Sequence, residues 1–267
     1  MTSTVSWQRW LDRTSHVALQ WLTGWWRLLE LGAVLLVLAF SVSSYRRMNR
    51  PALARHIYLN TASILVGFTV LCALVTVVLT RIVLVTALSY GLSQYALQLV
   101  IRVLVLELIP LTAALFVALR CTIPDGAELS AMQAAGQLDA MRRQGLDLVR
   151  DAVLPRVIAG LFAGVMLAAL SSVVTLVVAY LASYGFTVSG LAVYTRLFGQ
   201  VFSPAVSLIF VLKTLFFCLA VSLIPMASAL YDRQSTRVRT SAEMRGLVRM
   251  FSVILLVEIA SLVGNYY

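Results

Sequence analysis

Lysine is all but missing from this chain: Lys213 stands alone against twenty arginines. Acids are scarce too, with eleven Asp and Glu in 267 residues, and charged residues make up 12% of the chain while 61% is hydrophobic. So small a polar share excludes a soluble globular domain, because one core cannot enclose that much apolar side chain. No G-x-x-x-x-G-K-[ST] phosphate loop exists, since Lys213 follows Leu212 in an apolar run, and this excludes ATP binding by the chain itself. H-E-x-x-H, G-x-S-x-G and G-x-G-x-x-G are also missing, which leaves no recognisable metal, acyl-transfer or dinucleotide chemistry. The two histidines, His16 and His56, fall in separate interfacial segments, and Cys72, Cys121 and Cys218 are too widely spaced for a zinc motif. Each cysteine lies in or beside an apolar run, where a thiol behaves as a small hydrophobe. We expect no cofactor, no metal and no catalytic residue.

What is present is long apolar stretches near the roughly 20 residues that a helix needs to cross a bilayer. They occur at 61–88, 95–122, 156–184, 201–228 and 250–266, without the ten-residue alternation of an outer-membrane barrel. The fold class is therefore an all-α integral membrane protein with five transmembrane helices. A formal charge of +10 would suggest nucleic acid in a soluble protein, but here arginine placement explains it. If "YRRMNRPALAR" is cytoplasmic, seventeen of the twenty arginines fall on that side and only Arg81, Arg102 and Arg196 do not. The N-terminus is then cytoplasmic, the C-terminus outside, and no nucleic-acid partner is implied.

Three shorter features complete the single domain expected over 1–267. Residues 1–27 hold all five tryptophans, spaced with Leu11, Val17 and Leu22 on one helical face, as in an interfacial amphipathic helix; packing on the protein would give the same pattern. This stretch contains no signal-type apolar core, so a cleaved leader is not expected. Residues 28–45 are apolar but short, carry Glu30 and run into the arginine cluster, which suits a re-entrant or elbow segment. In the cytoplasmic stretch 119–156, Asp125 and Glu128 form a capping-box pair, Arg142 and Arg143 suit a last turn and Gly145 a stop, predicting one helix over about 126–144 within a coupling segment of 124–148. Such a helix either docks a partner or lies on the membrane.

The stretch "SLIFVLKTLFF" poses the sharpest question. Lys213, Glu107 and Glu258 each fall near the middle of a different span, and each costs roughly 2.5–3.5 kcal/mol there unless it pairs or meets water. A structural salt bridge is one answer. A polar cavity in which Lys213 helps hold an anionic headgroup is another, and a proton relay a third, weakened by the absence of a membrane-embedded histidine. Arg81, towards the outer end of its span, either snorkels to headgroups or lines the cavity mouth.

Two stretches resemble a known family. "ELIPLTAALFVALR" is similar to the E-L-G-P motif and following small-residue helix of MlaE (YrbE-type) permeases, the membrane subunits of lipid-transporting ABC systems. "AELSAMQAAGQLDAMRRQGLDLVRDAVLPRVIAG" is similar to that family's cytoplasmic stretch at Glu128, Leu129, Met132, Gln137, Asp139, Ala140, Gly145, Asp147, Pro155 and Arg156. The chain departs from the pattern at Leu106, Ile109 and Gly136.

The resemblance implies a permease in the bacterial inner membrane that moves phospholipid, or a similar amphiphile, to or from an extracytoplasmic MCE-domain protein. Its implied partners are a cytoplasmic ABC ATPase that performs the hydrolysis, a second permease copy, identical or paralogous, and a small accessory protein on the ATPase. It also implies that Glu107, Lys213 and Glu258, with Arg81, lie along the lipid path, and that Glu128, Met132, Gln137, Asp139, Arg142 and Arg143 couple to the ATPase. A non-transporting scaffold for an extracytoplasmic protein and a lipid-modifying membrane enzyme are the rival readings.

Overall fold

Proline explains where the helices of this chain leave regular geometry. The computed structural model describes residues 24–41, 50–231 and 239–266. Most of the amphipathic stretch and all of 42–49, which opens the arginine segment, lie outside them. Helix α1 (24–40) belongs to one compact unit, Met1–Arg47, and runs unbroken through most of the segment expected to be re-entrant. The second unit, Met48–Tyr267, contains α2 (Arg50–Ser89), α3 (Ser93–Ile101), α4 (Ile109–Val117), α5 (Ile123–Ala134), α6 (Gln137–Arg143), α7 (Leu154–Tyr184), α8 (Leu191–Val201), α9 (Pro204–Tyr231) and α10 (Arg239–Tyr266). No strand occurs among the described residues.

Three π-helical turns join these elements: Arg102–Leu108, Ala118–Thr122 and Val149–Val153. Each ends shortly before a proline, Pro110, Pro124 or Pro155. Proline has no N–H and its ring crowds the carbonyl four residues earlier, so a widened turn lets the helix continue where an α-turn would break. Three consecutive helices and two π turns thereby form one rod, Tyr95–Ala134, from one membrane face past the other.

Among the described residues, five helices are long and apolar enough to cross a membrane: Ala54–Ser89, Tyr95–Ala134, Val149–Tyr184, Pro204–Tyr231 and Met244–Asn265. The outward faces carry large apolar residues, such as Val66, Val70, Leu74 and Ile82 on α2 and Val248, Phe251, Leu255 and Ile259 on α10. Small and hydroxylic residues pack inside. On α2, Phe68, Cys72, Thr76 and Thr80 recur every four residues and are buried, and the Thr76 hydroxyl lies 3.1 Å from that of Thr175 on α7. Between α7 and α9 the backbones close up: a Cβ on Gly164 would stand 2.5 Å from Cys218 Sγ, and one on Gly160 would stand 2.7 Å from Ser222 Oγ. Small residues at such crossings are what lets helices associate in lipid, where no hydrophobic force pushes them together.

The expected single cytoplasmic helix is corrected in two ways. Its start is not a capped terminus, because α5 continues from the span through the Ala118–Thr122 turn and no side chain caps it. Its middle is broken at Gly136, whose φ of +71° is left-handed and ends α5 before α6 begins. The stop at Gly145, φ +79°, falls where its sequence placed it.

At the opposite end, α8 is too short to span. It packs Tyr194, Leu197 and Val201 inward on Leu97, Ile101 and Val105. The Tyr194 hydroxyl donates to the Leu176 carbonyl at 2.7 Å, and burial pushes its pKa up to about 12, keeping it a neutral donor.

Candidate functional site

Pro110 also prepares the centre of the bundle. By denying Leu106 its helical donor it leaves that carbonyl free, and Lys213 Nζ lies 3.4 Å from it. The same widened turn carries Glu107, whose Oε2 accepts a short hydrogen bond from Lys213. From α10, Glu258 Oε2 approaches the ammonium to 2.8 Å. The Phe217 ring, one turn along α9, sits with its centroid 5.6 Å from Nζ. Lys213 therefore stands among three oxygens drawn from two other helices.

Depth agrees with this convergence. Glu107 is twelve residues into its span, Lys213 nine into α9 and Glu258 seven from the end of the last span. The α9–α10 contacts run antiparallel, with Gly246 against Ser228 at one end and Gly264 against Ile209 at the other. At 1.5 Å per residue, all three ions lie about 10–18 Å from the same end of the bundle. The Lys213 side chain is only 1% exposed, whereas Glu107 is 13% and Glu258 17% exposed. The base is the floor of the cluster, and the acids are its open side.

Sequence reasoning brought these three residues forward but missed two more. Asn265 Nδ2 lies 3.5 Å from Glu107 Oε1, and Ser261 is buried one turn from Glu258. The signal was available: residues 258, 261 and 265 share one face of an otherwise apolar span. Arg81, by contrast, is exposed on α2 and makes no hydrogen bond or ion pair among the described residues.

The coupling candidates divide into two sets. Glu128 Oε1 pairs with Arg156 Nη2 at 3.4 Å, and the same nitrogen lies 3.9 Å from Met132 Sδ. Arg156 Nη1 donates to the Ala152 carbonyl at 2.8 Å, so a buried guanidinium ties α5 to the start of α7. Arg156 was legible only as part of the Pro155–Arg156 match. Gln137, Asp139, Arg142 and Arg143 stand exposed on α6, held to the protein by the buried Leu138.

A multi-pass helical bundle with a polar cluster held between three of its spans has the build of a membrane transport protein. The family model for the permease MlaE matches residues 53–263, nearly the whole bundle, and the chain belongs to that family. Membership makes it a membrane permease subunit of an ABC transporter, a non-catalytic transport subunit, and implies an ATPase partner and a homodimer. No curated protein matches the chain.

Proposed function

We propose that this permease moves phospholipid, or an amphiphile of similar build, between the inner membrane and an extracytoplasmic MCE-domain protein, driven by hydrolysis in a separate cytoplasmic ATPase. The observation that carries the reading is the convergence of Glu107, Lys213 and Glu258 from three spans towards one end of the bundle. Ions at that depth oppose insertion unless they compensate one another, and they mark substrate paths when they also stay partly open. Glu107 and Glu258 are partly open, and apolar helices surround them.

In this reading, Gln137, Asp139, Arg142 and Arg143 on α6 meet the ATPase, while Glu128 and Met132 pass its movement to Arg156 and α7. Arg81 contributes at the cavity mouth. The complex with its ATPase, reconstituted with a fluorescent phospholipid and an acceptor MCE protein, should transfer lipid only with ATP. Hydrolysis that never moves lipid in either direction would favour a scaffold instead.

A further inference from the structure

The cluster presents the opposite charge to the one its lone lysine suggests. An ammonium has three donors and no acceptor. Around Lys213 Nζ stand Glu107 Oε2, the Leu106 carbonyl and Glu258 Oε2, so a phosphate arriving from outside would find the base surrounded by oxygens. It would also have to pass the carboxylates, the more exposed members. With both acids ionised, the three groups sum to one negative charge.

Hydrogen bonding points the same way. Glu258 Oε2 meets the Lys213 ammonium at 2.8 Å, and no hydrogen bond from another group reaches it among the described residues. Ser261 Oγ, in a residue 7% exposed, and Asn265 Oδ1 are buried without a hydrogen-bond partner. All three lie on one face of α10, the face that turns Glu258 towards Lys213. Buried polar atoms are nearly always satisfied in folded proteins, so Ser261 Oγ and Asn265 Oδ1, in one stripe with Glu258 beside an anionic cluster, describe a place for a donor that arrives from elsewhere.

We propose that this face recognises the ammonium of an amine-bearing lipid headgroup, held by Glu258 and Ser261 with Glu107 and Asn265 beside them, and that Lys213 sets the charge and position of the acids and does not itself grip the headgroup phosphate. The proposal rests on the lipid-transport reading above. A primary ammonium supplies both what the cluster lacks, a positive charge and N–H donors.

The test uses the whole complex in nanodiscs containing equal amounts of phosphatidylethanolamine and phosphatidylglycerol with identical chains, followed by native mass spectrometry of the bound lipid. Phosphatidylethanolamine should be enriched about fivefold or more, which corresponds to roughly 1 kcal/mol. E258Q, which keeps the volume and removes the charge, should abolish the enrichment, and S261A should reduce it about twofold. If E258Q does not assemble, N265D keeps the test alive, because an added carboxylate should raise the enrichment.

Equal occupancy, a preference for phosphatidylglycerol, an enrichment that survives E258Q, or an N265D variant with an unchanged ratio would each overturn the headgroup assignment and leave lipid transport standing. A complex that retains neither lipid would instead overturn the transport reading.

Discussion

The two halves of α9 hold the bundle together by different means. In the half nearer its N-terminus a single cation binds three helices through charge. In the half nearer its C-terminus the same helix is held by shape: Gly164 sits on Cys218, Gly160 on Ser222 and Gly126 on Pro225. Both halves use a carbonyl freed by proline. Pro110 frees Leu106, which lies next to Lys213, and Pro225 frees Val221, which accepts the Thr122 hydroxyl at 2.9 Å. Charge contacts can be exchanged for those of an incoming ion, whereas steric contacts between backbones have no substitute. An incoming ion can therefore compete for the contacts of the first half and not for those of the second.

The largest effect should come from breaking the charge contact. K213M leaves two mostly buried carboxylates without their cation and should destabilise the purified protein by about 3–5 kcal/mol, read as loss of monodisperse material and a lower unfolding temperature. Adding E107Q and E258Q to K213M should recover most of that loss. If the triple variant remains as unstable as the single one, the ions are not coupled as described.

The shape contacts should break next. G164A pushes a methyl group against Cys218 Sγ and should cost about 1–3 kcal/mol, with C218A in the same chain restoring most of it. A G164A protein as stable as the parent would mean that α7 and α9 are free to separate.

Smaller still is the hydroxyl that caps the freed carbonyl. T122V keeps the shape and removes the donor to Val221, and should cost about 1 kcal/mol in a thermal melt, in line with side-chain hydrogen bonds between membrane helices. A larger loss would give α9 a hinge at Pro225 that depends on this one bond.

E128Q should barely move stability, by less than about 1 kcal/mol, because Glu128 is 60% exposed and solvent screens its pairing with Arg156. Its effect should appear in the dependence of ATP hydrolysis on lipid. Unchanged coupling in E128Q would restrict the ATPase contact to α6.

The bundle was legible because apolar length and arginine placement are properties of the chain itself. The five candidate spans and the midspan position of the three ions follow from the roughly 30 Å of hydrocarbon that each span must cover. Helix interruption was less legible. Asp125 and Glu128 read as a cap, yet Glu128 turns to Arg156, and α5 grows out of the span because π turns absorb the prolines. Gly136 ended the helix early through a positive φ that its neighbours gave no sign of.

By itself the sequence determined that Lys213, Glu107 and Glu258 must find company, since an isolated ion in hydrocarbon is too costly to leave alone. Only the tertiary structure decided that they find one another, that the lysine lies beneath the acids, and that Ser261 and Asn265 join them. The reason is physical: the cost of burying a charge belongs to a residue, but its relief depends on which helices meet, at what register and with which face turned inward. Glycine contacts and proline-freed carbonyls set those choices, and they become visible only when the helices are packed.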